Sequence, residues 1–365
     1  MKKRNRLAVT MITAAALVVS MAGCGSKPAP TQAPASQEAI SGEEKKESAD
    51  TTAAPAADKQ YTLMYGFVQG ETHPYYKAFK DWADAVEKDT NGGLKIDLYT
   101  SGTLGAEEDI ISSFKDSDTN WGYSTDFARL GTYVKELGLF NLPYFVSDID
   151  DIKAVESLDS FQEWMKQLEE QNDVKVVSLN LVQGYRSVVT GKDVKKPEDL
   201  SGLTLRCPNT EIWRAAISSL GCAVQGMGRG DIYNNLVNKV IDGYEDVYSC
   251  ITSESYYEIK DVNVVAETRH ILLINPTVVD AGWFYSLPEE YQKILCEDGD
   301  AIFEKASEDI INTFEDQEKQ KCIDAGMTVI PYEEIDIEAF KAATAKAYEQ
   351  LGLSETYNQV LEQLK

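Results

Sequence analysis

Hydrophobic and polar positions from residue 58 onward alternate between the period of strands and the period of helices. The runs 61–68 and 94–99 predict strands, and 75–89 predicts a helix whose apolar residues share one face. An Asn-Gly-Gly sequence at 91–93 ends that helix. Similar strand and helix patterns recur at 174–181, 210–220, 231–238 and 262–267. The alternation predicts an α/β architecture with largely parallel sheets.

One predicted helix is unusually long. Pro288 marks its first turn and Ala325-Gly326 its end, and apolar residues between them follow helical spacing. About 35 uninterrupted residues would span about 50 Å, which exceeds one small domain. We therefore predict a helix that crosses from one domain to the other. The alternative is two helices separated by a break at 298–300.

The N-terminal segment has the organisation of a secretory leader. Four basic residues precede an apolar run at 7–22, which predicts a signal peptide over 1–23 and is short for a membrane span. The sequence Met-Ala-Gly before Cys24 resembles a bacterial lipobox, so we expect Cys24 to carry lipid. The alternative is an ordinary signal peptide followed by a chance cysteine. Residues 24–57 lack apolar periodicity and predict a disordered linker.

Charge narrows the classes of partner. The formal net charge is −25, and removal of 1–23, with four basic and no acidic residues, makes it −29. Such a balance argues against nucleic acid and anionic membrane surfaces. It leaves an anionic ligand possible, because local arginines in a cleft outweigh distant carboxylates that salt screens within about 10 Å.

Motifs of catalysis and metal binding are scarce. The chain has only two histidines, and besides Cys24 it has five cysteines, none in a CxxC pair. We predict mostly free, buried thiols and neither a metal nor a cofactor. The glycine-rich stretch 226–231 lacks the Lys-Ser/Thr of a phosphate loop and predicts a turn before a helix. The acidic run 107–109 predicts a helix N-terminus. Nothing here indicates an enzyme.

An ordered set of motifs indicates a family. The sequence resembles the DctP-like substrate-binding subunits of tripartite ATP-independent periplasmic (TRAP) transporters over nearly the whole region after the linker. The motifs are Gly184-Tyr185-Arg186, 197–209 with Leu205-Arg206-Cys207, Asp242-Gly243-Tyr244-Glu245, His73-Pro74, Leu104-Gly105 and 142–145.

The resemblance implies a two-lobed periplasmic-binding-protein-like α/β fold. It implies a ligand cleft between the lobes, β-strands that cross between them as a hinge, closure over ligand, and a long helix bridging both. We expect lobe I to comprise 58–183 plus 272–310, and lobe II to comprise 184–271 plus 311–365.

The resemblance also implies site residues. Arg206 would form the salt bridge to a ligand carboxylate and Arg186 a second anion contact; guanidinium forks fit carboxylates bidentately. The alternative for each is a structural ion pair. Where the family usually has Asn, this chain has Asp246, which suggests a ligand that offers a hydroxyl or ammonium. Alternatively, Asp246 pairs with Arg186 or Arg206. Further expected ligand contacts are Asn209, Trp213, Tyr244, Asp126 and Tyr65.

The predicted function is capture without chemistry. A small organic acid, such as a sugar acid or hydroxy acid, would be bound outside the cell and delivered to the integral membrane subunits of a TRAP transporter. The protein would be a monomer, lipid-anchored on the outer face of a Gram-positive membrane or in a periplasm. Two alternatives are the binding lipoprotein of an ATP-driven importer and, less in keeping with the few histidines, a secreted α/β hydrolase.

Overall fold

The structure is a computed structural model that describes residues 59–116 and 119–365. The predicted signal peptide, Cys24 and linker lie outside the described residues. Strands in this part of the chain are β1 (Tyr61–Gly66), β2 (Leu94–Tyr99), β3 (Trp121–Ser124), β4 (Val174–Ser178), β5 (Val182–Thr190), β6 (Thr204–Cys207), β7 (Ala223–Gly226), β8 (Gly243–Asp246), β9 (Val264–Ile274), β10 (Thr277–Asp280) and β11 (Thr328–Ile330).

The helices follow the predicted pattern closely. For example, the helix predicted at 75–89 begins at Pro74, where the His73 ring accepts a hydrogen bond from the Tyr75 amide, and ends at Asp89. The helices are α1 (Pro74–Asp89), α2 (Glu107–Ser113), α3 (Phe127–Leu130), α4 (Ile149–Glu156), α5 (Asp159–Asn172), α6 (Glu211–Ser219), α7 (Ile232–Val237), α8 (Tyr248–Ser253), α9 (Ala281–Ser286), α10 (Glu289–Asp309), α11 (Glu315–Asp324), α12 (Ile337–Gln350) and α13 (Ser354–Gln363).

The strands form two mixed sheets with orders β2-β1-β3-β10-β4 and β11-β9-β5-β8-β6-β7. The expectation of largely parallel sheets is confirmed for strand direction, since one strand in each sheet is reversed: β10 pairs antiparallel with β3 and β4, and β5 antiparallel with β8 and β9. Chain connectivity explains this. Only residues 179–181 separate β4 from β5, and only 275–276 separate β9 from β10. Two nearly continuous strands thus cross between the sheets in opposite directions.

A single helical stretch crosses the molecule as predicted. α10 continues through a π-helical turn, Ile310–Phe314, into α11. No break occurs at 298–300, where Gly299 is buried against Trp82. Phe303 packs in the core of the first sheet, and Cys322 packs in a core beneath the second. The helix therefore contacts both lobes.

A bulge in β9 shapes the centre of the second sheet. Arg186 pairs with Ile271 but Val188 pairs with Ala266, so 267–270 project from the ladder. Arg269 lies there at a φ of 42°. The bulge turns His270 into the interior, where its side chain is 0% exposed, while Arg269 points outward between the rings of Tyr185 and Tyr332.

The lobe boundaries inferred from the sequence stay a prediction, and the boundary at 183/184 falls inside β5. Cysteines of the described region form no disulfide; three are buried and two half-buried. Across 59–116 and 119–365, no helix is long and apolar enough to cross a membrane.

Candidate ligand-binding site

A cavity of about 210 Å³ lies where strands of both sheets end. The first sheet's side supplies Gln69 after β1 and Asp126 after β3, and the second sheet supplies Arg186 from β5 and Arg206 from β6. A larger open groove of about 450 Å³ lies beside α5 and β4, but none of the predicted site residues lines it. We therefore assign the ligand site to the smaller cavity.

Arg206 is the least compensated charge of this cavity. Its side chain is buried, and its Nε and Nη2 donate to the Met227 carbonyl at 3.2 and 3.0 Å. Among the described residues no carboxylate lies within ion-pair distance of it. Burial, and next the charge of Arg229, lower the pKa of Arg206 to about 10. A buried guanidinium that has no carboxylate partner is stabilised when an anion binds beside it.

Arg186 has its carboxylates already. Its Nη2 donates to Glu245 Oε1 and to the Glu245 carbonyl, both at 2.7 Å, and its Nε bonds Oε2 of the same residue. Nη1 lies 3.1 Å from Asp246 Oδ1, and the guanidinium stacks 4.9 Å from the Trp213 ring centroid. Burial opposes the charge, but the two carboxylates outweigh it and raise the pKa of Arg186 above its usual range.

Asp246 lies behind the cavity wall and does not line it. Its Oδ2 is 3.0 Å from Arg229 Nη1, its Oδ1 faces Arg186, and the Val247 amide donates to Oδ1 at 3.0 Å. Burial raises its pKa, but Arg229 and then Arg186 outweigh burial and bring the pKa to about 2. The arrangement matches the alternative in which Asp246 pairs with an arginine.

The opposite wall is acidic. Asp126 caps α3, pairs with Arg129, and accepts a hydrogen bond from Trp213 Nε1 at 3.1 Å, which joins the two walls. Arg129 Nε also lies 3.2 Å from Glu107 and 2.9 Å from Glu108. Burial raises the pKa of Glu107 to about 7 despite Arg129. One arginine thus serves three carboxyl groups on this wall.

The structure brings together five of the predicted contact residues: Arg206, Arg186, Asn209, Trp213 and Asp126 all line the cavity. Tyr65 and Tyr244 do not. The Tyr65 hydroxyl bonds Thr277 Oγ1 at 2.9 Å within the first core, and the Tyr244 ring packs 5.1 Å from Tyr256 in another core. Alternation along β1 and β8 places both rings inside.

Sequence reasoning missed several lining residues, notably Arg229, Glu107, Gln183, Asn275 and Gln69. Arg229 was treated as part of a glycine-rich turn, and Glu107 only as a helix N-terminus. The signal for Arg229 was present: it is a charged residue between two glycines, on the turn that follows the strands of the Arg206 motif. Gln69 lines the cavity, and its buried Oε1 has no hydrogen-bond partner among the described residues.

Two neutral histidines support the site from behind. His270 Nδ1 shares a hydrogen bond with Thr268 Oγ1 at 2.9 Å, and its Nε2 lies 3.5 Å from Glu245 Oε2. His73 Nε2 contacts Gln183 Nε2 at 3.3 Å. Burial lowers the pKa of both rings, that of His73 to about 3. Since both are uncharged, three arginines face two carboxylates at this end, which leaves one positive charge.

A comparison with known protein families shows to which family this chain belongs. Residues 65–355 match the family described as bacterial extracellular solute-binding protein, family 7, also named DctP. The chain belongs to family 7. The resemblance to DctP-like subunits is thereby confirmed, as is the two-lobed α/β fold with a bridging helix.

Relatives of this family 7 protein include a C4-dicarboxylate-binding periplasmic protein of Vibrio cholerae, 25% identical, with 71% of this chain and 76% of the relative aligned. Solved structures include a TRAP periplasmic solute-binding protein of Fusobacterium nucleatum with bound sn-glycerol-3-phosphate; it is 25% identical, with TM-score 0.76 and coverage of 83% and 97%. Another, from Actinobacillus succinogenes with bound L-galactonate, is 25% identical, with TM-score 0.76 and coverage of 83% and 99%.

Buried carboxyl groups predict how the stability of this family 7 protein depends on pH. Burial raises the pKa of Glu107, Glu156 and Glu315 from 4.5 to about 7. The folded state then binds more protons than the unfolded state between these values, so stability rises as pH falls through 7. We expect the free energy of unfolding of the ligand-free protein, from urea titrations, to be larger near pH 5 than near pH 8.

Two variants check the origin of that slope. Glu156→Gln and Glu315→Gln remove groups outside the ligand cavity, so each is expected to flatten the rise without touching the arginine cluster. His73 and His270, whose pKa values are lowered by burial, act in the opposite direction below their unfolded value of 6.5, and Asp246, with its pKa of about 2, does so only below 3.8. Because three glutamates oppose two histidines between about pH 5 and about pH 8, a net rise is still expected. A free energy of unfolding that falls steadily from about pH 8 to about pH 5 would contradict the assignment.

Proposed function

We propose that this protein captures a hydroxyl-bearing organic monoacid outside the cell and delivers it to the membrane subunits of a TRAP transporter. The observation that carries the proposal is the buried Arg206, whose only hydrogen-bond acceptor among the described residues is the Met227 carbonyl. A carboxylate is the natural partner for its fork of donors. Membership in family 7 favours the TRAP partner over an ATP-driven importer or a hydrolase, and no reaction is proposed.

The charge of the arginine end favours one carboxylate. Glu245 and Asp246 neutralise two of the three guanidinium groups, so a single positive charge awaits the ligand. A monoanion would make the loaded end neutral. Because uncompensated charge is costly in a buried site, the match favours an acid with one negative group there.

The far wall supports hydroxyl groups at the other end of the ligand. Glu107, Glu108 and Asp126 share Arg129, so no guanidinium is free to receive a second carboxylate. Their oxygens accept hydrogen bonds, which suits hydroxyl or ammonium donors, and a second carboxylate would be repelled. In the sequence, Asp246 indicates that the ligand carries a hydroxyl or ammonium group. In the structure, the residues that support this inference are Glu107 and Asp126.

Relatives illustrate both kinds of ligand. The Vibrio cholerae protein is named for C4-dicarboxylates, whereas the Actinobacillus succinogenes protein holds L-galactonate, a monoacid with several hydroxyls. The acidic wall of the present cavity suits the second kind. Sugar acids and hydroxy acids are accordingly the proposed ligand class.

We extend the proposal to the cellular setting. Residues 1–23 would direct export, lipid on Cys24 would anchor the protein to the cell membrane, and 24–57 would act as a flexible tether for a monomeric binding domain. Mass spectrometry of the N-terminal peptide of the native protein checks this arrangement. A mature chain that starts elsewhere than at a lipid-modified Cys24 would contradict it.

Calorimetry on ligand-stripped protein tests the ligand class. The panel comprises L-galactonate, D-galacturonate, L-lactate, L-glutamate and succinate. We expect a hydroxylated monoacid to bind more tightly than succinate, because succinate places a carboxylate against Glu107 and Asp126. In a Glu107→Gln/Asp126→Asn variant, the ratio of the affinity for the hydroxylated monoacid to the affinity for succinate should fall by at least about tenfold. That change is equivalent to about 1.4 kcal/mol of binding free energy.

The control variant is Glu108→Gln, which removes the most exposed carboxyl of the same wall. It is expected to leave the preference nearly unchanged. Succinate binding more tightly than every hydroxylated acid in the panel would overturn the proposed ligand class. Binding of none of these acids would overturn acid capture itself.

A further inference from the structure

Arg229 shares the arginine end of the cavity with Arg206. It begins a short 3-10 turn, Arg229–Asp231, and lies between Gly228 and Gly230 in the sequence. Arg206 donates to the carbonyl of Met227, two residues before Arg229, so one turn of chain organises both side chains. Both line the cavity. Two guanidinium groups therefore present donors at the same end of the ligand space.

Most donors of Arg229 are unused within the protein. Nη1 forms the ion pair with Asp246 Oδ2 at 3.0 Å. Throughout the described part of the chain, Nε and Nη2 meet no hydrogen-bond acceptor. The side chain is only 13% exposed, and its buried Nη1, although close to Asp246 Oδ2, makes no hydrogen bond of good geometry with the described residues. Buried donors in this condition are expected to find a partner in the ligand.

Asp246 provides the counter-charge for this extra arginine. At the position where DctP-like proteins usually carry Asn, the Asp246 carboxylate lies between Arg229 and Arg186 and is completely buried. Because Asp246 offsets the charge of Arg229, the pair adds a fork of donors while the net charge of the cavity end stays at one positive unit. The Arg229–Asp246 pair thus increases the number of hydrogen-bond donors available to the ligand without requiring a second negative charge on it.

Two guanidinium groups at the same end of the cavity can bind more ligand oxygens than the two of a carboxylate. The fork of Arg206 can satisfy both oxygens of a carboxylate. The next oxygen of a sugar acid or hydroxy acid is the one on carbon 2, beside the carboxylate. A phosphate also offers a third oxygen, but as a dianion it would exceed the single available positive charge.

We propose that Arg229 is a specificity-determining residue that binds the oxygen on carbon 2 of the ligand, so that the protein selects 2-hydroxy acids over their 2-deoxy counterparts. This inference rests on the proposed capture of an organic monoacid. It adds the position of one hydroxyl to the ligand class and assigns Asp246 as the residue that holds Arg229 in place.

The test compares L-galactonate with 2-deoxy-L-galactonate, and D-glycerate with 3-hydroxypropionate, by calorimetry. For wild type we expect the 2-hydroxy member of each binding pair to be favoured by roughly 10- to 150-fold, the value of a charge-assisted hydrogen bond. An Arg229→Gln/Asp246→Asn variant keeps the net charge of the site and is expected to lose most of that preference. An Arg229→Lys variant retains the ion pair without the fork and should lose it too.

A matched control removes an ion pair whose two residues do not line the cavity. Lys239 and Asp261 are both exposed and 2.9 Å apart, so Lys239→Gln/Asp261→Asn is expected to keep the wild-type preference. Wild type that binds acids without preferring the 2-hydroxy member, or Arg229 variants that keep the preference, would overturn the role of Arg229 and leave acid capture standing. Tighter binding of sn-glycerol-3-phosphate than of L-galactonate would assign the third oxygen to a phosphate instead. Failure of all these probes to bind wild type would overturn both proposals.

Discussion

Replacement of Arg206 by methionine is expected to abolish acid binding while leaving the ligand-free protein at least as stable as wild type. Truncating one partner of a buried, hydrogen-bonded charge pair costs about 2 to 5 kcal/mol of binding free energy, roughly a 30- to 4,000-fold loss of affinity. In the empty cavity, however, Arg206 is a buried charge without a carboxylate. Its removal relieves that cost and sacrifices only hydrogen bonds to the Met227 carbonyl.

Calorimetry and thermal unfolding of the same samples separate the two effects. Arg214→Met is the matched control, because Arg214 lies on the exposed side of α6 and does not line the cavity. Arg206→Lys keeps the charge but loses the fork, so it should bind more weakly than wild type. Retained wild-type affinity in Arg206→Met, or an unfolding temperature well below that of wild type, would contradict the role assigned to Arg206.

Replacement of Glu245 by glutamine is expected to cause a severe loss of folding stability, unlike the replacement of Arg206. Glu245 is completely buried and holds Arg186 through both carboxylate oxygens and its backbone carbonyl. Removing one partner of a buried ion pair costs about 3 to 5 kcal/mol, because the other charge remains buried. We expect the free energy of unfolding, measured by urea titration, to fall by about that amount.

Two further variants isolate the charge effect at Glu245. Glu304→Gln breaks an exposed ion pair with Lys153 at 2.6 Å and is expected to cost less than about 1 kcal/mol. Arg186→Met/Glu245→Leu removes both buried partners and should recover much of the stability lost in Glu245→Gln, since apolar residues can replace a buried pair. Equal losses in Glu245→Gln and Glu304→Gln would show that the buried pair does not stabilise the fold.

The contrast between Arg206 and Arg186 shows what sequence patterns can and cannot predict. Both arginines were found from motifs along the chain that resemble those of DctP-like proteins. Their different electrostatic states depend on partners far away in sequence. Glu245 and Asp246 reach Arg186 only because β5 and β8 pair antiparallel, a register that no local pattern specifies.

Other misses have a similar physical origin. Tyr65 was expected to contact the ligand, but the pleat of β1 turns its ring into the aromatic core with Phe79 and Trp82. Arg229 was overlooked because its environment is set by Asp246, which lies 17 residues later in the sequence, at the end of β8. The antiparallel pairs follow from two crossing strands whose connections are too short for helices, which the alternation of elements alone did not indicate.

The π-helical turn at Ile310–Phe314 has a consequence for how one helix serves two cores. Each residue advances an α-helix by about 100° around its axis, so a wide turn resets the angular phase of everything after it. Before the turn, Leu295 and Phe303 face the core of the first sheet; after it, Cys322 faces a core of the second. The π-helical turn therefore changes the direction in which the following side chains point. As a result, one continuous helix can direct its apolar residues toward the core of each lobe.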